Sequence, residues 1–158
     1  MNESIKEIRK QIRELQDRLD DLVRANSAYF VLWEECGTWD DYARYYIPIG
    51  RVTEDIASSM AKTWRGDDSV LDAGYKEVSE HEYKLYKEAA AIAKIKAGIR
   101  ELGYCVDEQA DAMMDALGYL DLRDIQIRKG LGVTYHWEHF LPEKWISEED
   151  ELDEGEEE

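Results

Sequence analysis

The first two dozen residues constrain this chain more than any other stretch. Ile5, Ile8, Ile12, Leu15, Leu19 and Leu22 follow one another in alternating steps of three and four, with Lys, Arg, Glu, Asp and Gln between them. That is a heptad seam, the pattern of a helix that buries one narrow apolar stripe against a partner helix. The register continues through Asn26, Tyr29, Trp33 and Cys36 before Gly37. One helix over residues 4–36 is therefore expected, about 50 Å long at ~1.5 Å per residue. Asn26 has two readings, a polar seam position that fixes register or a cap where the coil ends near Leu22. Burying the Ile and Leu side chains of the seam is worth on the order of 9–18 kcal/mol as an upper bound. Such a stripe needs a partner.

A candidate partner lies in the same chain. Leu71, Tyr75, Val78, Leu85, Ile92, Ile95, Ile99 and Leu102 again step by threes, fours and sevens. They predict a second long helix over 70–103, or one that restarts at Ser79, whose spacing to Glu82 is that of a capping box. Ala89, Ala90, Ala91, Ala93 and Ala97 would let a neighbouring helix approach closely. Residues 37–66 then connect the two rods, with a short helix over Thr38–Tyr46, punctuation at Pro48 and Gly50, and another helix over Thr53–Trp64. Asp107 is a plausible N-cap for C-terminal helices over 107–129, and 130–147 reads as an irregular arm in which Leu131 to His136 is a short strand or irregular. The expected fold class is mainly α. It comprises one helical domain over 1–147, a long N-terminal coiled-coil-like helix packed with the second long helix, a small irregular or β arm near 131–137, and a disordered acidic tail over 148–158.

Charge narrows the partners. Lys plus Arg number 20 against 37 Asp plus Glu, a net charge of −17. Glu148 to Glu158 hold nine acids and no base, which leaves −8 on residues 1–147. Direct binding to nucleic acid or to an anionic membrane is disfavoured. No apolar run approaches the roughly 18 residues of a membrane span and Met1–Ser4 has no signal-peptide layout, so a cytoplasmic protein is expected. Two cysteines, Cys36 and Cys105, make no disulfide framework.

Catalytic chemistry finds little support. His136, Glu138 and His139 stand together, but two histidines three apart do not match the i, i+4 zinc motif, and Trp137 and Phe140 beside them suit packing. Gly130-Leu131-Gly132 lacks the third glycine of a phosphate loop and reads as a turn. Cys36 falls on the seam, and Cys105 has no activating base near it in sequence. No catalytic residue, metal or cofactor is assigned; a metal-dependent enzyme resting on the histidines is the third reading.

The acids offer more. Asp107, Glu108, Asp111 and Asp115 place four carboxylates on about 12 Å of helix, one per ~3 Å, near the 3.4 Å charge spacing of one nucleic-acid strand. Glu148, Glu149, Asp150 and Glu151 open the tail with a similar density. Fifteen Tyr and Trp against two Phe suit a protein-binding surface, with Trp137 and Trp145 as anchors. The expectation is a non-catalytic acidic inhibitor or decoy that occupies a basic surface on another protein, one belonging to a nucleic-acid-binding complex. Small phage proteins that disable restriction or CRISPR machinery are of this physical type in size and acidity. The alternative is an oligomeric adaptor, a homodimer through the seam Ile5, Ile8, Ile12, Leu15, Leu19, Leu22 and Asn26.

Overall fold

Helix α1 (Asn2–Ala25) takes up the N-terminal heptads and stops well short of residue 36. The computed structural model describes residues 2–38, 41–102, 107–133 and 137–146. Asn26 ends the helix: its backbone N–H and its side-chain Nδ2 both donate to the Leu22 carbonyl, at 3.0 and 2.8 Å. This is the capping reading of Asn26, in which the polar side chain closes the last turn. The chain then becomes strand β1 (Ser27–Thr38), so the coiled-coil helix expected over 4–36 is corrected to a helix and a strand.

The expectation of a mainly α fold is overturned along with it. β1 is a central strand of a four-stranded mixed sheet whose order is β3-β1-β2-β4. Strand β2 (Asp41–Thr53) runs antiparallel to β1 where a short helix over Thr38–Tyr46 was expected. Strand β3 (Val70–Val78) pairs antiparallel on the other side of β1, with Trp33 opposite Gly74. The second long helix of 70–103 is thus a strand followed by helix α3 (Glu80–Leu102). The break falls at the capping box: the Glu82 backbone N–H donates to Ser79 Oγ at 3.1 Å, and Ser79 Oγ lies 3.3 Å from Glu82 Oε1.

β2 carries Pro48, which has no N–H for a ladder. It sits beside an irregularity where the β1 register jumps from Phe30↔Gly50 to Val31↔Pro48, and Gly50 takes φ +91° there. A bulge is one of the few places a sheet accepts proline, so the residues expected to punctuate helices mark a kink in a strand. Helix α2 (Glu54–Arg65) follows and buries Ala57 and Ala61.

Helix α4 (Asp107–Leu131) runs as one helix where several were expected. It ends at Gly132 (φ +74°), with Val133 N–H bonded to the Arg128 carbonyl and Gly132 N–H to that of Lys129. This 6→1 and 5→2 pair satisfies the last carbonyls through the left-handed glycine. Within the arm expected over 131–137, Leu131 closes α4, residues 134–136 lie outside the described residues, and the strand comes later as β4 (Glu138–Phe140), parallel to β2. Leu141 (φ +66°) and Pro142 then lead into a helical turn at 143–146.

Two cores result. Val31, Tyr46, Val78, Tyr86, Ile92, Ile127 and Phe140 join the sheet to α3 and α4. Leu32, Ile47 and Ala61, with Trp64, Tyr75 and Trp145 around them, fill the opposite face under α2. Helices therefore cover both faces of the sheet, an α/β arrangement. α1 joins neither core. Every residue of it from Glu3 to Ala25 whose burial is described is exposed, so the intrachain pairing of two rods does not occur.

Candidate functional site

On the surface, the acids and bases are sorted by depth. Between Ser27 and Ile146, thirteen of the eighteen acids whose burial is described are exposed, against seven of fourteen bases. The half-buried cations are spent inside the fold. Lys96, with 15% of its side chain accessible, lies 2.5 Å from Asp121 Oδ1 and 3.6 Å from Asp124 Oδ2. Arg128 pairs with the same Asp124 at 3.2 Å, donates to the Glu138 carbonyl and covers the Phe140 ring. Arg123 is bidentate on Glu88, at 2.6 and 2.7 Å, tying α4 to α3; this pairing holds the Glu88 carboxyl below its ordinary range. Arg44 bonds Glu35 and lies over Trp33. Long aliphatic stems let Lys and Arg do this, covering apolar surface while the head finds a partner. Most carboxylates between Ser27 and Ile146 are left outside.

The predicted acidic residues fall into two groups. Asp111 and Asp115 lie one turn apart on α4 and are exposed, and no ion pair among the described residues involves them. The side chains of Asp107 and Glu108, and all of Glu148, Glu149, Asp150 and Glu151, lie outside the described residues. The two tryptophans sit at structural junctions. The Trp137 carbonyl accepts the Arg44 backbone N–H at 3.1 Å, next to the β4 pairing. Trp145 packs on Trp64, ring centroids 5.3 Å apart, in the core under α2.

Of the histidine cluster, Glu138 and His139 lie among the described residues. Glu138 Oε1 accepts a hydrogen bond from the Tyr46 hydroxyl at 3.2 Å, His139 leans on Tyr45 at 5.4 Å, and His136 lies outside the described residues. Among the described residues no three His, Cys, Asp or Glu side chains converge on a point that could hold a metal ion. A groove of about 590 Å³ opens between α3, α4 and β4, lined by Lys96, Arg100, Asp124, Arg128, His139 and Glu143. With Glu101 it carries three bases and three acids, so it shows no strong preference for one sign of charge.

Two polar features escaped the sequence reading. Glu34, on the central strand β1, is 0% exposed. Its Oε2 stands 3.3 Å from Lys144 Nζ, which also lies 3.5 Å from Asp67 and over the Trp64 ring. Burial raises the Glu34 carboxyl above its ordinary 4.5, although Lys144 pulls the other way. Burial and then the Glu34 charge push the neighbouring Cys36 thiol up to about 11, which keeps it protonated at neutral pH and unsuited to nucleophilic work. On the other face Lys76 lies over both Tyr46 and Tyr86, 5.0 and 4.8 Å from the ring centroids, and burial lowers its ammonium. Tyr86 is fully buried, and its hydroxyl has no hydrogen-bond partner among the described residues. The signal for Glu34 becomes visible only once 27–38 is known to be a strand, because period two then sets it on the side of Leu32.

Compared with known proteins, the chain matches no family, no curated protein and no solved structure. Among the described residues no helix is long and apolar enough to cross a membrane.

Proposed function

We propose that this protein is a non-catalytic binding protein whose acidic exterior occupies a basic surface on another protein, one built to grip a phosphate backbone. The supporting observation is the sorting of charge: Arg44, Lys96, Arg128 and Lys144 are held as counter-ions by Glu35, Asp121, Asp124 and Glu34, while carboxylates such as Asp111 and Asp115 face solvent. An exterior of net negative charge steers encounter with a basic partner and repels nucleic acid. The nine acids of residues 148–158 extend that field. The action proposed is competitive blocking, without turnover or cofactor, in the cytoplasm, where Cys36 remains a thiol.

The test pairs a variant with a salt series. Asp111→Asn with Asp115→Asn, combined with removal of residues 148–158, is expected to weaken capture of the basic partner at least ~10-fold, and capture by the intact chain is expected to fall as salt rises. Affinity that ignores both salt and these carboxylates overturns the reading.

A further inference from the structure

α1 ends up with a stripe that its own chain does not cover. Ile5, Ile8, Ile12, Leu15, Leu19 and Leu22 are each between 49% and 62% exposed, and Val23 beside them is 44% exposed. A contiguous apolar stripe of this kind on a finished fold marks a contact surface.

We infer that the stripe pairs with the same stripe of a second copy, antiparallel and about a two-fold axis between Arg13 and Glu14. Two features share that centre. The seam is self-complementary around it, since reversal sets Ile5 opposite Leu22, Ile8 opposite Leu19 and Ile12 opposite Leu15. The charges reverse about it as well. Residues 2–13 carry Lys6, Arg9, Lys10 and Arg13 against Glu3 and Glu7, and residues 14–25 carry Glu14, Asp17, Asp20 and Asp21 against Arg18 and Arg24. A parallel pair would lay the basic half on the basic half and the acidic half on the acidic half. The antiparallel pair lays each on its opposite.

Bases toward the N-terminus and acids toward the C-terminus run against the helix's own macrodipole, which favours the reverse. Positions flanking the seam also suit the antiparallel pair, which brings Arg9 toward Gln16 and Arg18 toward Gln11 without opposing like charges. The contact is isologous, so it closes at two copies and does not propagate. It also ends where the helix does, because Asn26 closes the last turn on the Leu22 carbonyl.

This inference goes beyond the acidic-surface reading and does not depend on it. Sedimentation of the full chain is expected to show a dimer that dissociates on dilution and tightens as salt is lowered. Ile12→Glu with Leu15→Glu is expected to weaken dimerisation at least ~100-fold while the near-ultraviolet circular dichroism of the tryptophans stays as in the parent. A milder variant, Leu15→Ala, is expected to weaken it ~10-fold with α1 still helical. Spin labels at residue 3, in a Cys36→Ser and Cys105→Ser background, are expected roughly 30 Å apart across the dimer, against roughly 10 Å for a parallel pair. A monomer at every concentration, a dimer indifferent to both seam variants, or a short label separation each overturns the inference.

Discussion

α1 and β1 are joined by a single residue, Asn26, and carry one unbroken heptad register from Ile5 to Cys36, yet one is a helix and the other a strand. Composition distinguishes them where spacing does not. α1 contains Lys, Arg, Glu, Gln and Leu, residues that lose little side-chain freedom in a helix, and no aromatic. β1 reads SAYFVLWEECGT, rich in aromatic and branched side chains that fit a pleated, paired surface. The surroundings differ as much. Phe30, Val31 and Leu32 are buried in succession because helices cover both faces of the sheet, whereas the α1 stripe faces solvent. A strand covered on both faces shows no alternation of apolar and polar residues. Its apolar residues can then fall into a three-four spacing by accident.

The comparison can be broken most directly by truncating one apolar side chain on each side of Asn26. Leu32→Ala is expected to cost about 2–5 kcal/mol in urea unfolding, as for a buried leucine. Leu15→Ala, measured at a dilution where copies are apart, is expected to stay within about 0.5 kcal/mol of the parent, as for a surface position. Equal costs would mean that α1 packs on the body.

The next effect tests β1 against its neighbour. A Cβ at Gly74 would sit 2.4 Å from the Trp33 ring, so the indole of β1 lies across the bare backbone of β3. Gly74→Val is expected to destabilise by about 1–3 kcal/mol, since the ring must leave its place or the strands must part. An unchanged thermal midpoint would show that Trp33 has room to move.

The smallest effect concerns the charge that β1 buries and α1 does not. The Glu34 carboxyl is raised by burial above its ordinary 4.5. Over the window between that value and the raised one, the folded chain holds this proton more firmly than the unfolded chain does. The group's contribution is thus most favourable below the window and is lost as pH rises through it, by at most about 1.4 kcal/mol per pH unit. Glu34→Gln is expected to remove this component, so the stability of the parent relative to the variant improves as pH falls from neutral toward 4.5. A pH-independent difference between the two would contradict a raised Glu34.

What was legible divides along the same line. α2 falls on Glu54–Arg65, close to the helix read over Thr53–Trp64, and the Ser79–Glu82 box marks the start of α3 at Glu80. These signals are local: a cap, a few turns of periodicity, a glycine at the end. β3 is hidden in the sequence because Leu71, Tyr75 and Val78 mimic a helical spacing that continues into the true helix α3. Pro48 and Gly50 were recognised as punctuation, but nothing nearby says whether they interrupt a helix or kink a strand. Of the candidate site, the acids on α4 and in the tail were visible as composition. The inward turn of Lys96 and Lys144 was not, because their partners come from other elements.

The amino-acid order thus determined the amphipathic helix at the N-terminus, its narrow apolar stripe, its opposed charged halves and the large acidic excess, since each of these depends on residues a few positions apart. Only the tertiary structure decided that residues 27–38 and 70–78 are strands, that Glu34 is buried, and that Lys96 and Lys144 meet acids on other elements while Asp111 and Asp115 face out. Strand pairing and ion pairing of this kind join residues distant along the chain, and their free energy exists only once the sheet has brought those residues together.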